Sequence, residues 1–181
     1  MSLATRSARG FTLTELMIVV AIAGTLMAVS VPVVSEVTDG TKLNEAARLV
    51  ERELQDARLR AVSSNRPLRV RTNCPAAGYV RTVEVLNAAS DTAASRCLNA
   101  AYPFPADDDL MTRPNYDGPV RTMPYSATVT TSSIEFSPDG TARLVAGGVA
   151  TTMAVAQTIT VTRRGKSKTV TINAAGKVQL Q

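Results

Sequence analysis

The strongest constraint on this chain is an apolar run at residues 16–34, LMIVVAIAGTLMAVSVPVV, which has no ionisable side chain in nineteen positions. A helix of that length rises about 1.5 Å per residue and covers roughly 28 Å, close to the ~30 Å hydrocarbon thickness of a bilayer. The run therefore predicts a transmembrane helix, with a buried core helix as the alternative. The whole chain is 45% hydrophobic and 19% charged, which is ordinary for a folded protein, so one globular head is expected.

The residues that flank the run predict its orientation. Arg6 and Arg9 are the only charged side chains among the first ten residues, so the positive-inside rule places the N-terminus in the cytoplasm and the head across the membrane. A secretory signal peptide would end in a small-residue cleavage site behind the apolar region, whereas here the helical pattern continues into charged sequence. The span is therefore expected to be retained.

Glu15 is a carboxylate that directly precedes the apolar run, and a segment that served only as a membrane anchor would not need this charge. A charge inside a span costs roughly 2 to 3 kcal/mol at the bilayer centre, so such a residue usually has a partner. The stretch GFTLTE at residues 10–15, followed by a long apolar helix, resembles the N-terminus of type IV prepilins and type II secretion pseudopilins.

This resemblance implies a processing site. Residues 1–10 would be a leader peptide, cut after Gly10 by prepilin peptidase on the cytoplasmic side of the inner membrane. Phe11 would become the N-methylated first residue, and residues 11–35 would remain as the transmembrane and assembly helix. The protein would be a single-pass inner-membrane protein with a periplasmic head before it enters the filament of a pilus or pseudopilus.

The resemblance also supplies a partner for Glu15. Its carboxylate would pair with the new α-amino group of Phe11, four residues away, and the sequence alone leaves open whether the pair forms within one chain or between chains. The family precedent is pairing between neighbouring subunits, with a carboxylate that only snorkels to the interface as the alternative. The implied partners are other major and minor pilins, prepilin peptidase and the inner-membrane assembly platform.

The head, residues 36–181, begins with an amphipathic helix predicted over residues 41–65. It ends before Pro67, because the residue that precedes a proline disfavours helical geometry. Apolar side chains recur at helical spacing along this segment: Leu43, Ala46, Ala47, Val50, Leu54, Ala57 and Val62.

The remainder of the chain changes to a two-residue period that predicts strands. Residues 79–86 are strand-like, residues 87–125 form a proline-rich variable loop, and residues 126–181 predict a β meander. The predicted strands of the meander are 127–131, 133–136, 141–145, 158–162, 168–172 and 177–180. The fold class is therefore α+β, with a long N-terminal helix, half transmembrane and half amphipathic, packed on a C-terminal antiparallel sheet as in pilins.

Two segments of the sheet carry a second resemblance. IEFSPDGTA at residues 134–142 and TVTINAAGKVQL at residues 169–180 resemble the heads of FimT/GspH-type minor pilins and pseudopilins. The resemblance implies a non-enzymatic minor pilin of the type IV pilus that primes or caps assembly. A minor pseudopilin of a type II secretion system is the alternative.

The two cysteines, Cys74 and Cys97, both lie in the predicted extracytoplasmic head, where thiols can be oxidised. A disulfide is predicted, with two unpaired thiols as the alternative. The chain has no histidine, which excludes a histidine-based catalytic triad and a zinc site with imidazole ligands. No enzyme activity, cofactor or metal site is predicted.

The C-terminal part of the chain is basic, because no acidic residue follows Asp139. Four cations cluster at a predicted hairpin tip, RRGKSK, and could contact the phosphates of DNA without reading bases: Arg163, Arg164, Lys166 and Lys168. DNA binding for uptake is therefore a second alternative function. An ordinary soluble hairpin tip or a subunit contact is the competing interpretation, because no aromatic residue is available there for base stacking.

Overall fold

The computed structural model describes residues 10–86, 89–105 and 116–181, except the side chains of residues 29–33. The chain divides into two compact units, Met1–Thr38 and Asp39–Gln181. Helix α1, Leu13–Ser64, begins in the first unit and ends in the second. Among the described residues, no helix combines the length and the apolar character that crossing a membrane requires.

The second half of α1 is the spine of the head. Its buried stripe consists of Leu43, Ala46, Ala47, Val50, Leu54, Ala57 and Ala61. Val62, predicted to join the stripe, is instead 50% exposed. At 3.6 residues per turn the position that follows Leu54 and Ala57 on one face is residue 61. The helix ends as predicted, with Asn65 at φ 53 before Arg66 and Pro67.

The described residues of the head form ten strands, and all their pairings are antiparallel. Their bounds are β1 Leu68–Thr72, β2 Tyr79–Glu84, β3 Arg121–Thr122, β4 Thr128–Val129, β5 Ser133–Phe136, β6 Ala142–Ala146, β7 Val149–Thr152, β8 Gln157–Arg163, β9 Lys166–Ile172 and β10 Val178–Leu180. The first sheet has the order β3-β2-β1-β5-β6-β7 and the second has the order β10-β9-β8-β4. Three short 3₁₀ helices are Ala89–Thr92, Ala94–Cys97 and Pro124–Ser126.

Both sheets share one core with the helix. Leu68 and Val70 of β1 and Ile134 and Phe136 of β5 belong to it from the first sheet. From the second sheet, the core residues are Val129, Ile159, Val161, Val170 and Ile172. The predicted α+β fold, a long helix on antiparallel sheet, is thus confirmed.

The predicted single meander over residues 126–181 is wrong in one respect. The consecutive strands β4 and β5 enter different sheets, because β4 pairs with β8 whereas β5 pairs with β1. The variable loop 87–125 is not irregular throughout, since its described part contains the first two 3₁₀ helices, β3 and the start of the third 3₁₀ helix. Its residues 87–88 and 106–115 lie outside the described residues.

Arg58 of α1 forms hydrogen bonds to one turn of each sheet and so holds both turns against the helix. Its Nε donates to the carbonyl of Gly140 at 3.0 Å, and its Nη2 donates to the carbonyl of Ala175 at 3.1 Å. The amide of Ala142 adds a hydrogen bond of 2.9 Å to the carbonyl of Ala174. These turns belong to the segments 134–142 and 169–180, so the two sequence motifs meet at one place on the helix.

We predict that Gly176→Ala destabilises the head by about 3 kcal/mol, as judged by urea denaturation followed by circular dichroism. Gly176 has φ +74, and an added Cβ would clash with the Gly140 carbonyl and lie 2.7 Å from Nε of Arg58. The matched control is Gly165→Ala, where φ is +76 and no atom lies within 4 Å of the added Cβ. The control should lose only about 1 kcal/mol. Equal losses of unfolding free energy in the two variants would show that the close contact of Gly176 with Gly140 and Arg58 does not stabilise the head.

Candidate functional site

The predicted processing segment begins helix α1 with a reciprocal capping arrangement. Oε2 of Glu15 accepts hydrogen bonds from the backbone N–H of Thr12 at 3.2 Å and from its hydroxyl at 3.1 Å. The N–H of Glu15 in turn donates to the Thr12 hydroxyl at 3.2 Å. This is the capping box, in which a threonine at the N-cap and a glutamate three residues later satisfy each other's backbone donors.

The predicted processing site at Gly10 and Phe11 is exposed to solvent. Gly10 is exposed and the Phe11 side chain is 83% exposed. Within the described part of the chain, the Glu15 side chain forms no ion pair and hydrogen-bonds only to Thr12. A cationic partner for the carboxylate remains a prediction.

The predicted basic hairpin is present at the junction of β8 and β9. Arg164 and Gly165 have φ values of 47 and 76 between the paired residues Arg163 and Lys166. Two consecutive positive φ values are typical of the type I′ turn, whose twist matches that of the flanking strands.

The two arginines of this hairpin converge on one carboxylate of the helix. Nη1 of Arg163 lies 2.6 Å from Oδ1 of Asp39, and Nη1 of Arg164 lies 3.0 Å from Oδ2. The Arg163 side chain is only 8% exposed, and its Nε donates to the carbonyl of Tyr125 at 3.1 Å. The hydrogen bond from Arg163, reinforced by Arg164, outweighs desolvation and lowers the pKa of Asp39 below its usual range.

The four predicted phosphate-binding cations differ in their surroundings, and their contact with phosphate remains a prediction. Arg163 and Arg164 face Asp39, and Lys166 lies at the exposed turn. Lys168 is half-buried and lines a groove beside α1.

The first sheet has an unusual outer face, because β1 alternates apolar residues toward the helix with Arg69 and Arg71 on the other side. Arg69 donates to Oε2 of Glu135 at 2.7 Å. Arg71 donates to the carbonyls of Asp91 and Ala93 at 3.3 and 3.0 Å. Segment 89–105 is thereby held over this face of the sheet.

Arg96 is the centre of this covering segment and is fully buried. Its Nη2 donates to Oδ1 of Asp117 at 2.6 Å and to the carbonyl of Glu84 at 3.1 Å, and its Nη1 donates to the other oxygen of Asp117. The guanidinium lies 4.4 Å from the ring centroid of Tyr102. Burial lowers the pKa of the neighbouring Arg81, and the nearby Asp117 opposes that shift.

Cys74 and Cys97 form a disulfide, with their Cα atoms 5.5 Å apart. The predicted bridge is confirmed. Because Cys97 directly follows Arg96, the disulfide and the buried ion pair act on the same point of segment 89–105.

Sequence patterns missed this network for a physical reason. Arginine and aspartate in an irregular segment are normally solvated, so Arg96 and Asp117 gave no sign of burial. The alternation Leu68-Arg69-Val70-Arg71 was the one available signal, since it indicates a strand with two arginines on one face.

Residues 46–176 match the family model described as Type II transport protein GspH, which is more than half of the chain. The chain belongs to this GspH family. Residues 5–31 match the prokaryotic N-terminal methylation motif, which contains the predicted processing segment. Together the two matches confirm the predicted resemblance and a structural role as a minor pilin or pseudopilin, associated with other pilins. Such proteins are structural subunits rather than enzymes, and the motif fits a membrane-anchored pilin.

Two solved structures are also similar to the chain, and both are crystal forms of the type IV minor pilin FimU from Pseudomonas aeruginosa strain PAO1. One is 17% identical, with 80% of this chain and 91% of that chain covered and a TM-score of 0.49. The other is 17% identical, with 77% and 92% covered and a TM-score of 0.46. No curated protein matches the chain.

We predict that Arg96→Met destabilises the head by about 3 kcal/mol, because it leaves the Asp117 carboxylate buried without its main partner. The double substitution Arg96→Met, Asp117→Leu should not recover that loss in the same urea titration, because it also leaves the buried Arg81 without its carboxylate and the Glu84 N–H without its acceptor. The control is Arg121→Met, which removes an ion pair to Glu53 whose arginine is 52% exposed. The control should cost less than about 1 kcal/mol, and a similar cost for both substitutions would show that burial of the Arg96–Asp117 pair does not raise its contribution to stability.

We also predict an acid-dependent loss of stability that depends on Asp39. Its folded pKa is lowered, so its ion pairs stabilise the head above the usual aspartate pKa and are lost as the pH falls through the folded value. Urea midpoints measured from about pH 7 to about pH 3 should decline more steeply for the parent chain than for Asp39→Asn. Parallel curves would show that Asp39 is not coupled to Arg163 and Arg164.

Proposed function

We propose that this chain is a minor pilin of the type IV pilus that primes or caps the filament. The observation that supports it most is the order of the two matches in one chain. The methylation motif at residues 5–31 is followed by the GspH head at residues 46–176, and helix α1, Leu13–Ser64, runs through both matched regions.

In this proposal, prepilin peptidase cuts between Gly10 and Phe11, and Phe11 is then N-methylated. The exposure of both residues supports access for the peptidase. The cut creates a cationic amine directly before Thr12, close to the start of the helix. Glu15 then has a cationic partner, the ammonium of Phe11, in addition to the uncharged N–H and O–H donors of Thr12, and the ammonium adds a charge–charge attraction that those donors lack.

We further propose that residues 11–35 anchor the chain in the inner membrane, with the head in the periplasm, and later enter the filament core. Large apolar side chains are exposed along the described part of this segment: Phe11, Leu13, Leu16, Met17, Ile18, Val19, Val20, Ile22, Leu26, Met27 and Val34. A helix that is apolar on all sides requires lipid or other helices around it. The inner-membrane assembly platform would transfer it from lipid to the neighbouring major and minor pilins.

A second candidate is a minor pseudopilin of a type II secretion system. The description of the matching family as a type II transport protein favours it. The pairing of Asp39 with Arg163 and Arg164 offsets part of the hairpin's positive charge and weighs against DNA uptake, although Arg164 is 70% exposed.

A strain from which the gene for this chain is deleted distinguishes a role in the type IV pilus from a role in the secretion pseudopilus. Loss of pilin sheared from the cell surface, restored by the intact gene, is expected for the pilus. Normal surface pili with exported enzymes retained in the periplasm would instead assign the chain to secretion. A strain with neither defect would reject both proposals.

Glu15→Gln separates the helix cap from the ion pair, because glutamine can serve in a capping box but carries no charge. We predict that Glu15→Gln and Glu15→Ala are both processed normally, and that neither is recovered in sheared filaments. Immunoblots of membrane and filament fractions measure this directly. Normal incorporation of Glu15→Gln would show that the carboxylate acts only as a cap.

A further inference from the structure

A groove of about 730 Å³ lies between α1 and the end of the second sheet. The helix contributes Asn44, Glu45, Arg48, Glu51 and Arg52, and the sheet contributes Lys168 of β9 and Leu180 of β10. All of these residues belong to the head unit. The basic residues of α1 and of the sheet thus face one concave surface.

The charges in this groove are not balanced by contacts within the head. Within the described part of the chain, the side chains of Arg48, Arg52 and Lys168 form no hydrogen bond or ion pair. Both carboxylates of the groove, by contrast, accept hydrogen bonds: Glu45 from the Tyr125 hydroxyl at 2.8 Å and Glu51 from the Gln55 amide at 3.4 Å. The groove thus carries three positive and two negative side chains, and the three cations are the groups with no partner inside the described part of the head, which favours an anionic ligand.

Strand β10, at one side of the groove, also has main-chain N–H and C=O groups that are free to form hydrogen bonds with a ligand. β10 is the terminal strand of its sheet. Gln181 exchanges two hydrogen bonds with Thr169, at 2.8 and 3.2 Å. Because such pairs alternate along an antiparallel ladder, the N–H and C=O groups of Val178 and Leu180 point away from β9. An edge of this kind can accept an added strand.

We propose that this groove binds an extended acidic peptide segment, which adds to the edge of β10 while its carboxylates meet Arg48, Arg52 and Lys168. The identity of the donor as a neighbouring filament subunit rests on the proposed function. A peptide fits better than a nucleic acid, because the outward N–H and C=O groups of β10 can pair with another main chain and no aromatic residue among the described residues lines the groove.

The test measures binding of labelled peptides to the full chain in detergent micelles by fluorescence anisotropy. The probe is a peptide of alternating threonine and glutamate. Its comparison ligands are the same peptide with N-methylated backbone amides, a threonine–lysine counterpart and a duplex DNA. The acidic peptide should bind, with an affinity that declines as salt is added, and the other three ligands should bind at least about tenfold more weakly.

Two variants of equal net charge locate the site. Arg52→Glu, Lys168→Glu should weaken binding of the acidic peptide about tenfold or more. The control Arg143→Glu, Lys177→Glu changes exposed cations outside the groove and should bind like the parent chain. Circular dichroism spectra that match the parent's establish that each variant is folded.

Several results would overturn the proposal. They are no binding of the acidic peptide, equal weakening in both variants, undiminished binding of the N-methylated peptide, or tighter binding of DNA that the groove variant abolishes. Failure here is distinct from failure of the proposed function, because the deletion strain reports filament assembly or secretion whether or not the groove binds a peptide.

Discussion

The burial of one narrow stripe of α1 determines the architecture of the head. Four alanines in this stripe, Ala46, Ala47, Ala57 and Ala61, are fully buried. Small side chains let both sheets pack close to the same helix, so Phe136 of the first sheet and Ile172 of the second belong to one core. The two sheets do not need a continuous hydrogen-bonded ladder between them, because the helix supplies the surface that joins them.

Charged side chains then hold the turns and the covering segment, which the apolar core does not hold in place. Arg58 holds one turn of each sheet, Asp39 holds the hairpin of β8 and β9, and Arg96 with its disulfide neighbour holds segment 89–105. The head is thus closed by polar contacts on several sides. The first half of α1 differs, because its apolar side chains are exposed in the described part of the chain. This contrast fits a subunit whose head folds alone and whose helix is completed by lipid or by other subunits.

Sequence patterns predicted the features of the fold that interactions between neighbouring residues determine. The helical period from Leu43 to Ala57, the helix end before Pro67 and the hairpin at residues 163–168 could be predicted from the sequence, because neighbouring residues determine them. The division of the strands into two sheets was not, since the partner of β4 lies about thirty residues away and is chosen by packing. The buried pair Arg96–Asp117 was hidden for the same reason: 21 residues separate its members, and only the folded sheet brings them together.

The most direct test of the account is the N-terminal mass of this chain recovered from sheared filaments. If the chain is processed and assembled as proposed, mass spectrometry of the filament fraction will find it beginning with N-methylated Phe11. The membrane fraction of a strain without prepilin peptidase should contain only the form that still carries residues 1–10. Recovery of the uncut chain from filaments, or its complete absence from them while the cut form accumulates in the membrane, would contradict its role as a filament subunit.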